Sequence, residues 1–103
     1  MIKAHICRNK AGQVFGFKVV NHGEPVVCSA VSALCFNTVN SIEAFTELDF
    51  TLDASPDGGD MTFTVPFLEK GGKDNNASLL LNSLVLGLKQ IELDYSNDLK
   101  VFD

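Results

Sequence analysis

Tryptophan is absent from this sequence and tyrosine occurs once, whereas phenylalanine occurs eight times. Aromatic area comes almost entirely from rings without a polar tip, which suits a small closed core. Basic residues are few. Eight Lys and Arg stand against thirteen Asp and Glu, giving a net charge of −5, and no Lys/Arg cluster stands out along the chain. Nucleic-acid affinity rests largely on cationic contacts to phosphate, so direct RNA or DNA binding is not expected. A cationic polypeptide suits such a charge better. No segment reaches the roughly 18 consecutive apolar residues of a membrane span, and MIKAHICRNK lacks the apolar core of a signal peptide. The expectation is a cytoplasmic protein with no membrane partner. Three cysteines, at positions 7, 28 and 35, cannot all pair within one chain, and none forms a C-x-x-C. Neither a disulfide framework nor a metal site is expected, and no other cofactor is implied.

What is present is a chain of 103 residues, 46% of them hydrophobic. That is one domain's length with enough apolar material for a real core. In IKAHICR, Ile2, Ala4 and Ile6 alternate with Lys3, His5 and Cys7, a strand with one buried face. NKAGQ is a turn in which Gly12 is free to take positive φ, and VFGFKVV completes a hairpin. From Pro25 to Phe45 the period becomes helical, through Val27, Val31, Leu34, Thr38, Ile42 and Phe45, with Pro25 suited to the first helical position. LDFTLD and MTFTVPF make a second hairpin around SPDGGD, and Pro66 marks an edge or a strand end. After the polar LEKGGKDNN, the segment ASLLLNSLVLGLKQIELDY predicts a second helix with Ala77, Leu80, Leu81, Leu84, Leu88, Ile91 and Tyr95 on one face. Leu79, Leu86 and Leu93 form a line off that face, either buried between sheet and first helix or a homodimer contact. LKVF closes the chain as a strand. The order ββαββαβ predicts a single α+β domain over residues 1–103, in two layers, with both helices packed on one face of a mostly antiparallel or mixed sheet.

The chemistry concentrates in VVNHGEPVVCSAVSAL, where His22 stands six positions before Cys28. A thiol attacks a carbonyl as thiolate, and two devices favour that form: a helix N-terminus and a neighbouring imidazolium. Cys28 falls in the first part of the predicted helix, and His22 at the end of the strand before it. Free N–H groups near Cys28 and Ser29 offer a place for a developing oxyanion. Asn21 and Glu24 are placed to orient His22, and Ser32, one turn beyond Cys28, to support the thiolate or cap the helix; each has a structural role as the plainer alternative. A packed helix cysteine beside an unrelated histidine is the plainer alternative for the pair. His5 lies on a strand face beside Cys7 with no helix start, and Cys35 falls where core packing is the default.

VVCSAVSAL followed by NTVNSIEAF resembles the motif of the bacterial ribosomal-processing cysteine protease family, Prp, and DGGDMTFTV and LLLNSLVLGLKQIELDYSNDLKV extend the resemblance over nearly the whole chain. The resemblance implies a dyad with Cys28 as nucleophile and His22 as base. It implies a cysteine endopeptidase that removes the N-terminal extension of a large-subunit ribosomal protein, the twenty-seventh of the bacterial set, after a hydrophobic pair. It also implies a homodimer. The chain departs from the family's pattern with Asn21 for a Gly, Gly23 for an Ala and Pro25 for an Asp, and with a shorter connection from His22 to Cys28. A non-catalytic dimeric module that binds a ribosomal or assembly protein is the other reading.

Overall fold

Apolar side chains at every second position force a strand to bury one face, and the first two strands do so in register. The computed structural model describes residues 1–56 and 59–103. β1 (Ile2–Arg8) and β2 (Val14–Val20) pair antiparallel, with Ala4 opposite Val19 and Ile6 opposite Phe17. Their turn places Gly12 at φ 86°, a conformation that costs glycine nothing. A register shift between Cys7 and Arg8 ends the regular pairing.

β3 (Thr51–Ala54) and β4 (Met61–Thr64) form the second hairpin. The turn expected at SPDGGD includes residues 57 and 58, which lie outside the described residues. Two boundaries differ from the sequence expectation. β3 begins only at Thr51, three residues after Leu48. MTFTVPF stops being a strand at Thr64, and Pro66 opens a short helix, α2 (Pro66–Glu69). Proline removes the N–H a ladder needs while its fixed φ suits a first helical position.

α1 (Pro25–Phe45), α3 (Asn75–Asp94) and β5 (Leu99–Phe102) complete the order β1-β2-α1-β3-β4-α2-α3-β5. Asp74 caps α3, its carboxylate accepting from the Ala77 N–H at 2.9 Å. The five strands form one mixed sheet in the order β3-β4-β2-β1-β5, antiparallel throughout except for the parallel β1–β5 pair. This is the expected two-layer α+β architecture.

The core lies between the sheet and the helices. Ile2, Ala4, Phe17, Val19, Met61, Phe63 and Leu99 from the sheet meet Val27, Val31, Cys35, Val39 and Ile42 of α1 and Ala77, Leu81, Leu84, Val85 and Leu88 of α3. Phe17 and Phe63 are fully buried with ring centroids 5.4 Å apart. Burying each such side chain contributes about 1.5–3 kcal/mol. α1 is long and apolar enough to cross a membrane by length and composition alone, yet its inner valines and Ile42 are spent on this core. Phe45 and Tyr95, expected on the inner helix faces, are instead exposed, because each stands at or just beyond the last turn of its helix.

Candidate active site

β2 ends at Val20, and Asn21 then turns the chain at φ 72°. Asparagine is among the few residues other than glycine that accept this left-handed conformation readily. The Asn21 N–H donates to Asp60 Oδ1 at 3.1 Å, which fastens the end of β2 to the entry of β4. Glycine would take the same backbone conformation, so Asn21 is a conservative alternative to it in backbone terms. His22 follows, exposed, with its ring against the backbone of Gly59. A Cβ at Gly59 would lie 2.8 Å from His22 Cε1 and 2.9 Å from Cδ2, so a larger residue there would require the imidazole to shift.

Gly23 continues the close fit, since a Cβ there would come within 2.8 Å of Ile2 Cγ1. Glu24 is the N-cap of α1. Its Oε2 accepts from the N–H groups of Val26 at 3.0 Å and Val27 at 3.1 Å. Its carboxylate therefore faces the helix terminus, the positive end of the dipole, and serves α1 rather than orienting His22. Pro25 occupies the first helical position, as expected.

Cys28 is the fourth residue of α1 and is half-buried against the core. His22 and Cys28 therefore flank one junction, the exit of β2 and the first turn of α1, with only Gly23, Glu24 and that turn between them. Ser29 beside Cys28 is exposed and Ser32, one turn on, is half-buried. The Cys28 N–H donates to Glu24 O at 2.9 Å, so it already belongs to the helix ladder. The donors of the first turn are thus held by Glu24 in this conformation, which the sequence could not show.

The other two cysteines hold their protons more firmly than a free thiol. Cys35 is 1% exposed, and burial pushes its thiol up to about 12. The Cys7 thiol is raised by burial and by the charge of Glu69. Neither yields much thiolate at neutral pH. Among the described residues no cluster of three or more His, Cys, Asp or Glu is placed to hold a metal ion. Gly59 and Asp60 are the site components that sequence reasoning missed. Their turn signal was legible, but their position against His22 and Asn21 depends on the pairing of β2 with β4.

A model of the family described as cysteine protease Prp matches residues 1–100. The ribosomal processing cysteine protease Prp of Bacillus subtilis (strain 168) is 30% identical over 107 residues, covering 98% of this chain and 96% of that protein. Solved structures share the fold. The ribosomal processing protease Prp from Staphylococcus aureus with a covalently linked product peptide has a TM-score of 0.87 at 24% identity, covering 99% of this chain and 98% of its own. The same protease with a substrate peptide has a TM-score of 0.81 at 23% identity, covering 98% and 97%. A protein of Streptococcus mutans has a TM-score of 0.84 at 26% identity, covering 99% and 92%.

Proposed function

This chain belongs to the cysteine protease family Prp, and from that premise we propose that His22 and Cys28 are its catalytic base and nucleophile. The observation that carries the reading is the shared junction: Cys28 in the first turns of α1, and His22 at the exit of β2, held against Gly59. His22 takes the thiol proton, and the thiolate attacks the scissile carbonyl. The imidazolium then protonates the leaving amine, and water hydrolyses the acyl-enzyme. Ser29 and Ser32 flank the thiol in supporting positions. The oxyanion is met by N–H groups of the first turn of α1 once Glu24 gives way to the substrate.

The substrate we propose is the N-terminal extension of a large-subunit ribosomal protein, the twenty-seventh of the bacterial set, processed in the cytoplasm. The related proteases of Bacillus subtilis and Staphylococcus aureus are described as ribosomal processing enzymes. A net charge of −5 suits a cationic ribosomal polypeptide. Incubation with an extended peptide, read by mass spectrometry, tests this. Wild-type protein should release the extension, while Cys28→Ala and His22→Ala should not. Full cleavage by Cys28→Ala overturns the dyad.

The active unit is proposed to be a homodimer. Leu79, Leu86 and Leu93 recur every seventh residue of α3 and are 71%, 62% and 75% exposed. A stripe of leucines left in water on the outer side of a core helix has the spacing of a helix–helix seam. The same stripe is what a non-catalytic dimeric module would require. Alkylation by iodoacetamide as a function of pH separates the two, since only a protease needs Cys28 to react well ahead of an ordinary thiol.

A further inference from the structure

The helices cover one face of the sheet, and the other face is open. On the three strands β5, β1 and β2, the residues that alternate away from the core are Lys100 and Phe102, then Lys3, His5 and Cys7, then Gly16, Lys18 and Val20. The registers set them in rows. Lys100 pairs with Lys3 and Lys3 with Val20; Phe102 pairs with His5 and His5 with Lys18. Three of the eight basic residues of a chain with net charge −5 thus gather on one flat patch, and no carboxylate stands among these positions. Among the described residues acids stand only at its borders: Asp98 lies two residues before Lys100, and Asp103 follows Phe102 but is held by Arg8 and Lys89. Asp53 lies two strands beyond Lys18 through Thr62, and Glu69 lies near Cys7.

Two features distinguish this patch from an ordinary solvated face. Lys3 and Lys100 are directly opposite one another, an arrangement that destabilises a sheet. Neither they nor Lys18 enters an ion pair among the described residues. Beside them, the rings of His5 and Phe102 are stacked, 4.8 Å between centroids and 11° from parallel. β5 is an edge strand, so no further strand covers the outer side of Phe102, which is 42% exposed.

We propose that this open face binds single-stranded RNA. The lysines stand one or two strand positions apart, roughly 5–8 Å, and present a continuous cationic track to a phosphate backbone. The His5–Phe102 pair offers a ring on which an unpaired base continues the stack, a contact that every base can make. An acidic polypeptide would use the lysines but gain nothing from the rings. Duplex RNA hides its bases in a groove that a flat sheet cannot enter. The site uses neither His22 nor Cys28 and does not depend on the protease reading.

Fluorescence anisotropy of the full chain with a labelled oligouridylate at low salt tests the proposal. Three phosphate contacts predict that log affinity falls against log salt with a slope of about −2. Changing Lys3, Lys18 and Lys100 together to Gln should weaken binding about tenfold or more and flatten that slope. Phe102→Leu should weaken it about fivefold or more with the slope unchanged. All of these residues but His5 are exposed, and unchanged thermal melts of the variants confirm that the fold is intact. Equal RNA binding by the wild type and the triple variant overturns the proposal. So does oligoglutamate that binds as tightly as RNA and is indifferent to Phe102→Leu, which would make the face a site for acidic polypeptides.

Discussion

The imidazole of His22 rests on the backbone of Gly59, at a position where any β-carbon would enter the ring. The proposed base therefore sits in space left open by a glycine 37 residues away that has no side chain to contribute. Gly59→Ala should displace His22 without removing any catalytic atom. Since a misplacement of about 1 Å can cost on the order of 10²-fold in rate, peptide cleavage should fall by about that factor, chiefly in kcat. The melting temperature and the heavy-atom environment of Cys28 should change little.

Asn21 sets the direction in which His22 leaves the sheet. Asn21→Gly should preserve activity and stability, because glycine takes φ 72° freely. Asn21→Val should cost about 1–3 kcal/mol in denaturant unfolding, the range for a residue held in a disfavoured backbone region. It should also reduce cleavage. Equal stability of the two variants would remove the backbone argument.

Cys35 makes stability depend on pH at the alkaline end. Its thiol titrates near 9.0 in an unfolded chain and is pushed up to about 12 by burial. Below 9 both states hold the proton and the group has no effect on the pH slope. Between about 9 and 12 the unfolded chain releases the proton and the folded chain retains it, so stability falls as pH rises. The limiting slope is about 1.4 kcal/mol per pH unit for one proton. Cys7, raised in the same direction, adds to this. Urea unfolding from pH 8 to 11 should show the loss, and Cys35→Ala should make it shallower while lowering stability at pH 7 through the cavity it leaves.

The leucine stripe predicts an oligomeric state. Leu86 is central in the stripe and 62% exposed. Leu86→Lys should convert a dimer to a monomer by analytical ultracentrifugation without lowering the unfolding free energy of the monomer. A wild-type protein that sediments as a monomer at high micromolar concentration removes the seam.

Patterns confined to a few neighbouring residues determine much of this fold. The period-2 alternation of Ile2–Arg8 and Val14–Val20, the helical period with proline at its start in Pro25–Phe45, and the closing strand Leu99–Phe102 all stand in the structure where the sequence reading put them. The proximity of His22 and Cys28 along one junction was legible for the same reason, since few residues separate them. The tertiary structure alone decided what depends on pairing between distant segments. The parallel docking of β5 on β1 brings Lys100 beside Lys3 and Phe102 onto His5. The pairing of β2 with β4 puts Gly59 under His22 and Asp60 on Asn21. A chain in which no basic cluster could be read along its length thus presents one in space, because a sheet juxtaposes side chains by strand order and not by sequence order.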